Sequence, residues 1–330
     1  MLHICTPAVD HLVCTPFSEK AAVGAYDGAI WYDLLDPTPA EIIFVESTLD
    51  LKLPTREEMQ DIEPSARLYS EAGTEVMTMT AMAGMSAGNP VKTPLTFVLR
   101  ANVLITLRHA DPKPFETFRQ RAGKPNGENY ATGEAVMAGL VEALIDRLAQ
   151  ALEHSGNDID TISNGVFRGG AGKADRKTQD LQALIEKIGQ KGDALTLLRE
   201  SLVSIQRMVA FHQTREGPVG KPLRETRAAF KSLQRDAAAL ISHAEFLSAK
   251  ITFLLDATLG LINLEQNKII KIFSVVAVIF LPPTLVASAY GMNFTVMPEL
   301  GWTFGYPFAI GLMALSAVLP YLLFKRNGWL

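Results

Sequence analysis

Apolar positions along this 330-residue chain change their spacing twice. Up to about residue 130 they come in short runs that alternate with polar positions, the period of strands with one buried face, and helix starts interrupt them. Ala29–Leu35 predicts a strand, which Asp36-Pro37-Thr38-Pro39 stops before a helix from about Glu41. A second helix start follows Leu53, with Thr55 as N-cap and Glu58 completing a capping box. Arg67–Ser70 with Glu75–Met82, and Thr96–Arg100 with Val103–Arg108, predict two hairpins turning at Glu71-Ala72-Gly73-Thr74 and at Ala101-Asn102. The expectation is an α/β domain at 1–132 with a mostly antiparallel sheet.

From about Glu134 the period becomes helical, with Val136, Leu140, Leu144, Leu148 and Leu152 on one stripe. The cluster Gly169-Gly170-Ala171-Gly172 breaks it, and a second helical run from about Thr178 to Gln213 stops at Glu216–Pro222. No proline then occurs between Leu223 and Pro282, and Gly260 is the only glycine before Gly291. Read as one helix, at about 1.5 Å per residue, this run is roughly 100 Å long and enters the last third of its length as an apolar segment. The alternative is two helices with a bend near Gly260. These long helices are assigned to a portion at 133–268.

The second change of spacing comes at about residue 269, where two stretches, about 272–289 and 306–324, become long and apolar enough to cross a bilayer. Glu299 is the only charged residue between Lys271 and Lys325. Lys268 and Lys271 flank the first stretch, Lys325 and Arg326 follow the second, and the loop at 290–305 has no Lys or Arg. By the positive-inside rule both chain ends face the cytoplasm and the loop faces outside. Tyr290, Trp302 and Tyr306 mark the outer interface and Trp329 the inner one. This defines a membrane part at 269–330; buried helices of a soluble core are the competing reading.

Composition removes other classes. A net charge of −4 and no Lys/Arg stripe with interleaved aromatics speak against nucleic acid as partner. The N-terminal segment lacks a basic stretch followed by an apolar one, so a cleaved signal peptide is not expected. Cys5 and Cys14 fit no zinc spacing and read as free thiols in a reducing compartment. Gly172-Lys173-Ala174 and Gly220-Lys221-Pro222 both fail the phosphate-loop pattern, and GxSxG, HExxH and CxxC do not occur, so neither an enzyme nor a bound cofactor is expected.

Two spans cannot enclose a pore, so ion conduction requires several copies around a shared axis. In the first span, Asn267, Ile270, Ser274, Ala277, Leu281, Thr284 and Ser288 step by three and four and share a face. Such a face, apolar with interspersed hydroxyls, suits a gated water path and equally suits a helix–helix packing stripe. Pro282 and Pro283 leave the carbonyls of Val278 and Ile279 without helical donors, which a water-filled lumen would satisfy; a kink against the second span is the alternative. An uncharged path suits Mg²⁺, which dehydrates reluctantly and keeps its waters. Asn293 sets an amide carbonyl at the outer mouth beside Gly291, although Gly-x-Asn also ends helices.

Tyr290-Gly291-Met292-Asn293-Phe294, then Met297-Pro298-Glu299-Leu300, Gly305-Tyr306-Pro307 and the terminal Phe324–Leu330 resemble the C-terminal signature of the CorA magnesium transporters. Phe280–Tyr290 resembles bacterial members as well. The likeness is strong over about Asn263–Leu330 and thins upstream, where Trp31–Leu34 and Asp61–Arg67 still fit. It implies an α+β chain with a funnel of long helices and a homopentameric pore in the inner membrane, in contact with lipid. It further implies uptake of hydrated Mg²⁺, with Co²⁺ and Ni²⁺ as further substrates. Carried over by position, Gly291, Met292 and Asn293 form an outer selectivity ring. Asn267, Ile270, Phe273, Ala277, Leu281, Thr284 and Ser288 line the conduit, and Glu299 attracts cations at the mouth. Of these, Phe273 comes from the resemblance alone. Gating by cytosolic Mg²⁺ is implied too, but no motif locates its ligands. Glu57, Glu58, Asp61, Glu63, Asp236, Glu245 and Asp256 are carboxylates whose simpler reading is a solvated face. A zinc-transporting relative, against which Met292 speaks, and a non-conducting tethered sensor are the alternatives.

Overall fold

The computed structural model describes residues 1–18, 26–61, 63–84, 90–125, 130–168, 174–214, 221–292 and 297–328. The chain divides into two compact units, Met1–Ala171 with Ala183–Leu254, and Gly172–Gln182 with Leu255–Leu330. The glycine cluster at 169–172, residues 216–220 of the predicted helix break, and Trp329 lie outside the described residues.

In the first unit the strands β1 (Leu2–Pro7), β2 (Leu12–Pro16), β3 (Trp31–Leu35), β4 (Leu68–Glu71), β5 (Thr74–Ala83), β6 (Val91–Arg100) and β7 (Val103–Arg108) form one sheet of order β2-β1-β3-β7-β6-β5-β4. Among the described residues only β3 and β7 pair in parallel. Both expected hairpins form: β4 meets β5 with Leu68 opposite Met77, and β6 meets β7 with Leu99 opposite Leu104. The β4–β5 turn places Ala72 and Gly73 at φ 48° and 77°, the doubly left-handed geometry that matches strand twist, for which glycine is suited.

The helices α1 (Pro39–Leu49), α2 (Arg56–Gln60) and α3 (Pro64–Arg67) separate β3 from β4, and α4 (Lys113–Ala122) follows β7. The capping box predicted at Thr55 and Glu58 is present, and α1 carries a second at Thr38 and Glu41, two residues before the expected helix start. One core cluster under the sheet gathers Leu2, Ile4, Leu34, Val45, Met59, Val76, Val98 and Ile105. Across the β3–β7 pairing, buried Asp33 accepts hydrogen bonds from the Thr106 hydroxyl (2.8 Å) and from Arg108 Nη2 (2.8 Å), so a charged pair is satisfied in the interior.

The free-thiol expectation fails: Cys5 and Cys14 form a disulfide. The β1–β2 register sets Cys5 directly opposite Cys14 with Cα atoms 4.0 Å apart, a proximity that residue spacing alone does not reveal.

Three long helices follow: α5 (Gly133–Arg168), α6 (Ala174–Gln213) and α7 (Lys221–Tyr290). Within the first unit their facing residues Leu144, Leu152, Ile159, Leu195, Leu202, Leu247 and Leu254 are buried. Gly133 opens α5, its N–H donating to Asn102 O at 2.9 Å, where a Cβ would collide with the Leu104 nitrogen. α7 is a single helix of 70 residues, so the bend near Gly260 does not break it. α8 (Gly305–Arg326) completes the second unit after a 3₁₀ turn at Pro298–Gly301.

Candidate functional site

Helix α7 shows two different faces in the second unit. Val275 is buried, and Lys271, Ile279, Pro282, Pro283, Val286 and Tyr290 are half-buried; they step by three and four along one side. Asn267, Ile270, Phe273, Ala277, Leu281, Thr284 and Ser288 are all exposed. At 100° per residue the two stripes are centred roughly 165° apart. The residues predicted to line a conduit therefore do not form the packed side within this chain. Pro282 and Pro283 sit on the packed side.

The open face is mixed in character. Ile270 (61% exposed), Phe273 (70%) and Leu281 (65%) are large and apolar, while Asn267, Ser274, Thr284 and Ser288 are polar. The Thr284 hydroxyl donates to the Phe280 carbonyl at 2.7 Å. Its single proton is thereby committed, and the oxygen presents only lone pairs outward. The exposed side of α8 is different: Phe308, Ile310, Leu312, Leu315, Val318, Leu319, Leu322 and Leu323 give it an aliphatic surface.

The segment of α7 that carries this face and the whole of α8 are long and apolar enough to cross a membrane. Lys271 Nζ donates to Gly328 O at 3.4 Å, so the start of the first apolar stretch and the end of the second lie at one level. Lys325 and Arg326 in the last turn of α8 add cations at that same end, where the helix dipole favours them. At the other end Trp302 packs on Phe308 with ring centroids 5.7 Å apart, and Tyr306 is exposed.

α7 stops at Tyr290, and the Gly291 N–H donates to Ala287 O (3.0 Å) and Ser288 O (3.2 Å). Gly291 is not in the left-handed region; a Cβ there would lie 3.2 Å from Ala287 O. Its lack of a side chain thus allows a close backbone approach. Met292 is exposed. Asn293 and Phe294, and the side chain of Glu299, lie outside the described residues.

The carboxylates proposed from sequence as regulatory ligands are dispersed. Glu58 accepts from Thr55 N within its capping box, Asp61 accepts from Glu63 N, and Glu245 pairs with Arg199 at 2.9 Å. Glu57 and Asp256 are exposed. Asp236 lines a cavity of about 950 Å³ between α5 and α7 in the first unit, together with Glu142, Asp146 and Glu225. Among the described residues no three His, Cys, Asp or Glu side chains are grouped to hold a metal ion.

One charged cluster was not anticipated. His212 of α6 donates from Nδ1 to Glu75 Oε2 (2.7 Å) on β5 and from Nε2 to Glu134 Oε1 (3.1 Å) on α5, and its ring packs edge-on to Phe230 of α7. Donation from both ring nitrogens requires the imidazolium. Burial opposes that charge, but the two carboxylates outweigh it and raise the His212 pKa to about 9.

A mixed sheet, long helices and two C-terminal helices long and apolar enough to cross a membrane make this an α+β chain of the membrane-spanning class. A family model described as "CorA-like Mg2+ transporter protein" matches residues 26–326. The magnesium transport proteins CorA of Salmonella typhimurium and Escherichia coli K12 are each 39% identical over 307 residues, 92% of this chain and 92% of theirs. The complete structure of the CorA magnesium transporter from Methanocaldococcus jannaschii superposes with a TM-score of 0.77 at 18% identity, covering 100% of this chain and 99% of that one. The chain belongs to the CorA-like Mg²⁺ transporter family.

Proposed function

We propose that this chain assembles as a homopentamer in a bacterial inner membrane and carries hydrated Mg²⁺ inward, with Co²⁺ and Ni²⁺ as further substrates. The observation that carries this reading is the difference between the two exposed helix surfaces of the second unit. The aliphatic side of α8 suits lipid. The open side of α7, with Asn267, Ser274, Thr284 and Ser288 among apolar residues, suits a shared aqueous axis.

Water bound to Mg²⁺ donates hydrogen bonds, so a wall that passes the hydrated ion must accept them. Thr284 is such an acceptor, because its proton is held by Phe280 O. Ile270, Phe273 and Leu281 form apolar levels where the column of water can break, which is one way to close the path. Gly291, Met292 and Asn293 form the outer ring, where amide carbonyls meet the ion's water shell, and Glu299 raises the local cation concentration. The N- and C-termini face the cytoplasm, as the cations at Lys271, Lys325 and Arg326 favour. Cytosolic Mg²⁺ closes the path by binding between neighbouring soluble portions, and α7 carries the signal as one continuous helix.

Reconstitution in liposomes containing a Mg²⁺-sensitive dye tests the proposal. The parent protein is expected to admit Mg²⁺, and Asn293→Ala to lose at least tenfold in initial rate. Equal rates for both proteins would remove the ring.

A further inference from the structure

We infer that the first unit contains an anion site for a small phosphate-bearing ligand, between strand β5 and helix α6. A cavity of about 430 Å³ opens there, in the size range of small-molecule sites. Arg67, Arg199 and Arg207 line it together with Thr80 and Ser204, and among the described residues Glu200 is the single acidic one in the lining. Glu200, Ser204 and Arg207 recur at helical spacing and so share the face of α6 that looks onto the sheet. The framework beneath them is tied down: Thr80 N donates to Ser204 Oγ at 2.8 Å, and Ser201 Oγ donates to Thr80 O at 2.9 Å.

The charges in this cavity do not cancel. Glu200 is paired with Lys92, and Arg199 with Glu245. Among the described residues no carboxylate pairs with Arg67 or Arg207. Arg67 reaches only Thr80 Oγ1, at 3.4 Å, and its Nε–H is buried without an acceptor. An unmatched buried guanidinium donor beside a second unmatched arginine and two hydroxyl groups calls for an acceptor-only group with several oxygens. Phosphate meets that description, and the guanidinium fork matches it in a bidentate way that a lysine cannot. Among the described residues no aromatic side chain lines the cavity, so recognition rests on the phosphate groups and not on a stacked base. The ligand class is therefore a compact diphosphate, free or as the end of a nucleotide. The site lies within the first unit, and its binding does not depend on whether the protein conducts Mg²⁺.

Titration calorimetry on the full-length assembled protein in detergent provides the test. The protein is first stripped of divalent metal, so that chelation contributes no heat. Inorganic diphosphate and ADP are titrated separately into the parent, Arg207→Lys, Arg207→Ala and Arg67→Ala. Saturable binding by the parent is expected, weakened at least tenfold in Arg207→Ala and less in Arg207→Lys. Arg207 is at the exposed rim, so its variants report even where Arg67→Ala fails to fold. ADP binding more tightly than diphosphate identifies a nucleotide, and equal affinity identifies the phosphate chain alone; both support the site. Absence of saturation with both ligands, or an unchanged affinity in Arg207→Ala, overturns it.

Discussion

Val275 and Ala277, two residues apart on α7, point to opposite sides: Val275 is 3% exposed on the packed side, and Ala277 is exposed on the open one. A bulky group at each position should therefore have separable consequences. Val275→Trp overpacks the buried side of α7, a strain of about 1–3 kcal/mol, and is expected to lower the melting temperature of the solubilised protein by several degrees. Ala277→Trp meets no neighbour within the chain and should leave that temperature nearly unchanged while cutting Mg²⁺ influx severalfold. Thermal unfolding and liposome flux, measured on the same preparations, check both.

Thr284 offers a finer test of how the wall treats water. Thr284→Ser keeps a hydroxyl able to donate to Phe280 O and should retain most of the flux. Thr284→Val keeps the shape but removes the outward acceptor, and is expected to reduce the rate severalfold with little change in stability. Initial rates at several Mg²⁺ concentrations would reveal the difference.

His212 joins β5, α5 and α6 through Glu75 and Glu134. Its pKa is raised from the ordinary 6.5 to about 9 in the folded state, so the folded chain binds the proton more tightly than the unfolded one. The stability this provides is fully present below about pH 6.5 and is lost as pH rises through about 9, up to about 3 kcal/mol in all. Denaturant unfolding of the soluble part from pH 6 to 9.5 is expected to show that decline. His212→Gln should be less stable at pH 6.5 and should lack the slope.

Much of this architecture is written locally. The β4–β5 and β6–β7 hairpins follow from alternation and their turns, and Thr55 with Glu58 marks a helix start within four residues. The capping box of α1 carried the same signal at Thr38 and Glu41, but it lay inside a proline-rich stretch that reads as a strand stop. Strands β1 and β2 were not anticipated, because Leu2–Pro7 and Leu12–Pro16 are short and mix polar residues into both faces. With them went the Cys5–Cys14 pairing, which only the register reveals.

The helical step told which residues of α7 share a side, but not which side meets α8. That depends on the burial of Val275, and the small hydroxyl-bearing residues of the other side suit a helix contact as well as a water path. The His212 cluster and the Arg67–Arg207 cavity were invisible for a different reason. Each joins residues from elements more than a hundred positions apart in the chain, so no local pattern carries them.

The claim on which the functional reading rests is that the open face of α7 borders the ion's path. A cysteine placed on each side of the helix and treated with a small cationic thiol reagent tests it most directly, with the parent as the control for the native cysteines. Mg²⁺ influx through Leu281→Cys is expected to collapse after treatment, because a fixed positive charge then stands in the path, whereas Val275→Cys and the parent should be unaffected. Undiminished flux through fully labelled Leu281→Cys would contradict the assignment.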